Sequence, residues 1–393
     1  MDLTLVLTHD CNMGCGYCYA GRKFKQGMSG DVLHRAIDLA FGDGDTGKLQ
    51  VSYFGGEPLI EWDLLLEAAE ETRARAQKEG RKLVQCVTTN GTLLTPERIR
   101  RLAELDVYVA LSIDGNKNAH EANRPTMNGG STWNAVSRAL DWLVEEGRAF
   151  ETISVVTPAS VRELGASVRE LFLRGVPRVS LNPCYEFGWA DEDLAAWERG
   201  LEQAADEMVG HMRAGRIVSV NVFDNKIITR IKGGLDEGDK CDLGAAFVAV
   251  APSGNLYPCE RLVAEDENVA ARMGHVNTGI LRGKVTEFRA ELPEWHATNE
   301  ECGGCTEKVR CSAHCACANY AETGSYGTAG GVQCWHEQTT AKIADHLADT
   351  LVAEKNETFL QWFFPQGVPD VRVPTKAPEQ RVRRDKRLLR VLQ

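Results

Sequence analysis

The chain has no run of about 18 apolar residues, the length a membrane-spanning helix requires. Its first residues, MDLTLVLTHDC, carry neither a basic region nor a small-residue cleavage site, which excludes a secretory signal. Basic charge is not in excess either. Lys and Arg number 45 against 56 Asp and Glu, a net charge of −11, which argues against a general nucleic-acid binder. No membrane and no nucleic-acid partner are therefore expected, and a cytoplasmic location is. At 393 residues the chain is too long for one ordinary domain. A chain of this size buries roughly three quarters of its unfolded surface, so its core needs no covalent staples.

Cysteine, by contrast, is abundant. There are 13, an odd number, in a chain with no export signal. In a reducing compartment such a set points to metal or redox chemistry rather than disulfides.

Residues 3–8, LTLVLT, are rich in β-formers and are predicted to be a strand. HDCNMGCGYCYAG follows directly, with Cys11, Cys15 and Cys18 in a C-x3-C-x2-C spacing. Gly14 and Gly16 are expected to let this loop turn tightly around something bulky. Three thiolates hold three corners of a [4Fe–4S] cube and leave the fourth iron open to a substrate-like ligand. Zinc or buried thiols are the plainer alternatives.

With an aromatic residue, Tyr17, before its last cysteine, the motif resembles that of the radical S-adenosylmethionine (SAM) enzymes. In that family the open iron binds SAM, one electron cleaves it, and a 5′-deoxyadenosyl radical takes a substrate hydrogen. The cofactor carries the hard chemistry and the protein positions and shields it.

Strand-like segments at 3–8, 49–54, 82–88, 107–113, 151–157 and 177–182 alternate with amphipathic stretches such as WDLLLEAAEETRARAQKE. Six β/α units imply a parallel sheet. The resemblance implies a partial (β/α)6 TIM-like barrel, with ligands at the C-terminal ends of its strands. Polar motifs lie at those ends. Gly55, Gly56 and Glu57 resemble the family's GGEP segment, which binds the SAM amino group. Asn90 follows the third strand in TTNG, on its own an ordinary turn signal. Ser112, Asp114 and Arg124 lie in a segment resembling S-x-D-G…H-x-x-x-R-P, in which the serine and arginine contact SAM. A guanidinium fork suits a carboxylate; a lone arginine is otherwise a solvated surface charge. Cys86, within the third strand, is expected to be a buried hydrophobe, and Cys184, after the sixth, to serve structure more than chemistry.

Eight cysteines fall in the second half. FVAVA and NLYPC flank PSGN, a β-hairpin pattern with Gly254 at positive φ, which draws Cys241 and Cys259 together. Cys302, Cys305, Cys311, Cys315 and Cys317 follow, then Cys334. Zinc ribbons share such spacings. The order resembles the SPASM domain, a cysteine-rich module carrying two auxiliary [4Fe–4S] clusters. That resemblance implies Cys241, Cys259 and Cys315 for the first cluster and Cys302, Cys305, Cys311 and Cys334 for the second. Cys317 is left over: it, a carboxylate such as Asp239, or an open iron completes the first. The fold expected is thus α/β, a partial barrel over 1–230, a SPASM domain with a β-hairpin over 231–340, and a C-terminal helix and tail over 341–393.

Oxidation at carbon also releases a proton, so a base is useful. Glu260, next to Cys259, is the candidate; sulfatase-maturing relatives carry an aspartate base there. Pairing with Arg261 is the structural alternative. His9, Asp10 and His314 are weaker candidates. FLQWFFPQGVPD is read as packing or as a peptide-docking patch. Residues 371–393 hold eight Lys/Arg against two Asp/Glu, a solvated tail or a dock for an acidic leader peptide.

These readings predict an oxidoreductase with three [4Fe–4S] clusters and SAM. It would modify, and cross-link, side chains of a ribosomally made precursor peptide. Flavodoxin or ferredoxin would supply electrons. The chain starts at its first strand, so leader recognition is expected from the barrel, the tail or a separate leader-peptide-binding protein. Formylglycine formation of the sulfatase-maturase kind is the enzymatic alternative, and a non-enzymatic iron–sulfur carrier the alternative of another class.

Overall fold

Apolar residues at every second position of QVSYF send Val51 and Tyr53 to one face of a strand and Gln50, Ser52 and Phe54 to the other. The same alternation runs through the neighbouring strands. Their buried face packs on helices, and their half-buried face lines the hollow of an incomplete barrel. The computed structural model describes residues 1–42, 47–236, 239, 241, 243–291, 300–312 and 315–365.

Strands β1 (Asp2–Val6), β2 (Lys48–Phe54), β3 (Lys82–Thr89), β4 (Val107–Ser112), β5 (Phe150–Val156) and β6 (Arg178–Pro183) are parallel neighbours in chain order. Helices Gly30–Phe41, Trp62–Glu79, Pro96–Glu104, Trp133–Glu145 and Leu164–Leu173 join them. The six expected strands are all present. A two-residue β7 (Ser219–Val220) adds to the β6 edge.

The hairpin is also present, as β8 (Phe247–Val250) and β9 (Asn255–Tyr257), with Gly254 at φ 92°. Its placement was not expected. β8 pairs in parallel with β1, Leu3 opposite Val248 and Leu5 opposite Val250. Through β9, β10 (Gly274–His275) and β11 (Gly279–Ile280) the cysteine-rich half thus continues the barrel sheet, which has 11 strands in the order β11-β10-β9-β8-β1-β2-β3-β4-β5-β6-β7.

Helix Gly331–Ala353 packs back across the barrel against helices Asp191–Arg213 and Asn221–Lys232. Helix Glu357–Phe363 buries Phe359 and Phe363, so this part of the aromatic stretch packs. No helix of the described residues is long and apolar enough to cross a membrane. His314 and the basic tail lie outside the described residues.

Candidate active site

The loop after β1 lies against the loop after β2. Leu7 N–H donates to Phe54 C=O (2.9 Å), Gly56 N–H to Thr8 C=O (2.8 Å) and Glu57 N–H to Asp10 C=O (2.9 Å). This approach accounts for the glycine pair. A Cβ on Gly55 would lie 2.5 Å from Thr8 C=O, and one on Gly56 would lie 2.2 Å from Asp10 C=O and 3.0 Å from Cys11 Cβ. Gly14 and Gly16 lie on the cysteine loop itself. Neither has a positive φ, and a Cβ on Gly16 would meet nothing within 4 Å. The glycines that admit the loop are on the facing strand end.

Cys11, Cys15 and Cys18 are all free thiols on this loop. Burial pushes the Cys15 thiol up to about 11, and the nearby Cys18 and Cys11 add to the rise while Arg124 opposes it. Three donors reach the sulfurs: Met13 N–H to Cys11 (3.4 Å), Asn90 Nδ2 to Cys11 (3.8 Å) and Lys23 Nζ to Cys18 (2.9 Å). Lys23 was not singled out from the sequence, although it lies only five residues after Cys18.

Asp114 gathers the other expected residues. Tyr17 OH donates to its Oδ2 (2.8 Å), Val155 N–H donates to its Oδ1 (2.9 Å), and Arg124 Nη2 lies 2.9 Å from Oδ1. The Arg124 guanidinium also faces the Tyr17 ring at 5.2 Å. Burial raises the Tyr17 hydroxyl well above its ordinary value. Arg124 is not a solvated charge: its side chain is 5% exposed. Its Nε is buried and has no hydrogen-bond partner among the described residues. Ser112, the last residue of β4, is half-buried beside this group.

Glu57 follows the glycine pair at the end of β2. Its carboxylate turns inward and accepts from Leu59 N–H (3.0 Å), Thr89 Oγ1 (2.7 Å) and Asn90 N–H (2.7 Å). It is fully buried, and burial raises it to about 7. It caps the short helix Pro58–Glu61 and ties β2 to β3.

A small cleft lies between the two halves, lined by Val6, His9, Ala20, Phe54, Gly55, Gly56, Glu260, Val263 and Ala264. The residue expected to pair with Glu260 is engaged elsewhere. Arg261 Nη2 lies 2.7 Å from Glu186 Oε1, and its guanidinium covers the Tyr19 ring at 4.7 Å. Burial raises the Glu260 carboxyl above its ordinary value. His9 stacks on Phe24 at 4.5 Å, and its buried Nε2 has no partner among the described residues.

Among the auxiliary cysteines, Cys259 meets Cys317 side chain to side chain, and that contact, with burial, drives its thiol well above the usual range. Burial pushes Cys315 up to about 12, with Cys317 and Cys241 close enough to contribute. These four therefore share one neighbourhood. Cys302 and Cys305 lie on and just after the short helix Glu300–Gly303, and Cys334 is on helix Gly331–Ala353. The Cys311 segment is pinned to that helix: Ser312 N–H (2.6 Å) and Oγ (2.5 Å) donate to Glu337, one turn from Cys334, and Arg310 pairs with Asp345 at 2.7 Å. Lys226 Nζ completes the junction, 2.5 Å from Glu337 and 2.8 Å from Arg310 C=O. No sequence pattern pointed to Lys226. Among the described residues no three His, Cys, Asp or Glu side chains converge as they would about a single ion. Cys86 is half-buried on the lumen face of β3, more open than expected, while Cys184 is buried.

Residues 5–171 match the model of the radical SAM superfamily. The chain carries a radical SAM domain. It is 25% identical over 324 residues to the serine-type anaerobic sulfatase-maturating enzyme of Klebsiella aerogenes, covering 78% of this chain and 76% of that one. It is 24% identical over 332 residues to the cysteine-type enzyme of Clostridium perfringens, covering 78% and 85%. In fold the enzyme resembles anSMEcpe with bound AdoMet, with a TM-score of 0.75, 21% identity and coverage of 92% and 98%. It also resembles Streptococcus suis SuiB bound to its precursor peptide SuiA, with a TM-score of 0.60, 17% identity and coverage of 84% and 75%.

The residues present fit the groups this family uses. Three free thiols on one loop suit a cluster, and the orphaned Arg124 Nε suits an anionic ligand.

Proposed function

We propose that the enzyme oxidises a serine or cysteine side chain of a peptide or protein, as a sulfatase maturase does. The observation that carries this is the cleft in which Glu260 faces the Gly55–Gly56 strand end beside the cysteine loop. The relatives named as sulfatase-maturating enzymes favour this over cross-linking of a precursor peptide, the reading preferred from the sequence.

Cys11, Cys15 and Cys18 would hold the catalytic [4Fe–4S] cluster, and Arg124 with the Gly55–Gly56 backbone would hold SAM. The eight cysteines of the second half would hold two auxiliary clusters. So held, these groups supply the one-electron chemistry: cleavage of SAM to a radical that takes a substrate hydrogen atom, and an acceptor for the electron that then leaves.

The protein supplies the rest. Oxidation of a C–OH or C–SH carbon to a carbonyl or thiocarbonyl level removes one hydrogen atom, one electron and one proton. Glu260 is the group placed to take that proton. Its burial keeps the carboxyl a stronger base than a solvated glutamate, outweighing the nearby Arg261, whose guanidinium is held by Glu186. Val6, Phe54 and Val263 give the cleft apolar walls that exclude water.

The test uses anaerobically reconstituted enzyme, SAM, a reductant and peptides carrying a sulfatase-type serine or cysteine. The expected result is 5′-deoxyadenosine together with a peptide aldehyde that a hydrazide probe captures. A peptide that loses two hydrogen atoms but does not react with hydrazide would favour cross-linking instead.

A further inference from the structure

We propose that Cys317 is the fourth ligand of the site formed by Cys241, Cys259 and Cys315, so that protein thiolates close this auxiliary cluster and leave no iron for substrate. This rests on reading those cysteines as iron–sulfur ligands.

Cys317 is 3% exposed, in the first turn of helix Ala316–Thr323. Its side chain hydrogen-bonds with that of Cys259, which follows β9 at the open end of the hairpin that Cys241 precedes. Residues two apart on a helix point to different sides, which would separate Cys315 from Cys317. Cys315, however, caps the helix with φ −73° and ψ 94°, outside helical geometry, so its side chain is released from that periodicity. Both thiols therefore reach one neighbourhood from adjacent backbone.

The carboxylate alternatives have other partners. Asp239 Oδ2 accepts from Lys232 Nζ (2.7 Å) and from Asp236 N–H (2.9 Å), closing its own turn. Glu260 approaches Cys259 Sγ only at 3.7 Å and lines the cleft. A closed cube exchanges electrons without binding substrate, which confines hydrogen abstraction to the SAM side of the cleft and assigns this cluster to electron transfer alone.

The experiment compares reconstituted wild type, Cys317→Ala, Cys317→Ser and Cys86→Ala for iron per chain and for the electron paramagnetic resonance of the clusters. About twelve irons are expected for wild type and Cys86→Ala. Cys317→Ala should lose about a third of that iron, or show the signal of a three-iron cluster, with Cys317→Ser between them. Serine nearly preserves the side-chain volume, so a change in its spectrum is not a packing effect. Variants with wild-type iron and spectra, at about twelve irons, would overturn the assignment of Cys317 alone. Wild type with about four irons would overturn the auxiliary clusters themselves, and Cys317 with them.

Discussion

The Arg124 guanidinium lies 2.9 Å from the Asp114 carboxylate, both side chains nearly inaccessible, and the same carboxylate accepts from Tyr17 beside Cys18. One acid thus links the cysteine loop, the arginine loop and β5. Asp114→Ala leaves a buried guanidinium without its counter-charge, which costs about 3–5 kcal/mol. Urea unfolding should show that loss, together with weaker SAM binding. Unchanged stability would mean that water or another acceptor replaces Asp114 without cost.

Glu260→Gln should keep SAM cleavage and lose product. The amide preserves shape and polarity but takes no proton. The check is 5′-deoxyadenosine and modified peptide measured in the same reaction. Full product yield would remove Glu260 from the chemistry.

Gly56→Ala should abolish loading of the catalytic cluster, because its Cβ would lie 2.2 Å from the Asp10 carbonyl oxygen. Gly210→Ala, exposed on helix Asp191–Arg213 far from the cysteine loop and with nothing within 4 Å of its Cβ, should load normally. Iron content and the reduced-cluster resonance distinguish the two. Equal loading would mean that the loop shifts freely.

Lys226→Met should destabilise the fold by about 3–5 kcal/mol, because it strands the buried Glu337 carboxylate. With Lys226 present, that carboxylate is held down to about 2 against the cost of burial. Adding Glu337→Gln should recover part of the loss. A double variant no better than the single would show that the pair is not coupled.

Stability should fall between about pH 4 and pH 7 through Asp224. Burial raises this acid from 3.8 to about 7, so the folded state keeps a proton the unfolded chain has released. The stabilising contribution is present below the unfolded value and lost as pH rises through the folded one. The slope is at most about 1.4 kcal/mol per pH unit. His120, lowered to about 3 by burial, acts oppositely: its contribution is present above 6.5 and lost as pH falls. Because Glu57 titrates in the same window and His120 opposes both, the readout is the difference between wild type and Asp224→Asn, which should change by up to about 1.4 kcal/mol per pH unit between about pH 4 and pH 7. Parallel curves for variant and wild type would exclude Asp224 as a source of the slope.

Much of the barrel was legible because strand alternation and strand-end motifs are local patterns. The hairpin was legible for the same reason, with Gly254 marking its turn. Its attachment to β1 was not, since pairing between Leu3 and Val248 leaves no trace in either segment. Motif identity located Glu57 and Arg124, but motif identity carries no side-chain direction. Only the folded chain shows the Glu57 carboxylate facing Thr89 and the Asn90 N–H. The close approach of the two loops, at Gly55 and Gly56, left no signal in the cysteine spacing. Lys226 had no signal, since its partner is on a helix 111 residues away.

The parallel pairing of β8 with β1 has a consequence for how the chain is made. β1 emerges from the ribosome first and gains β2 soon after, but its other edge waits for residues 247–250. For most of synthesis the barrel presents an open, apolar strand edge, the kind of surface that recruits wrong partners. Closing it requires one of the longest loops in the molecule, a slow step in any folding route. The hairpin that carries Cys259 is therefore also the piece that seals the nascent barrel, and a chain halted before it should collect in aggregates or on chaperones.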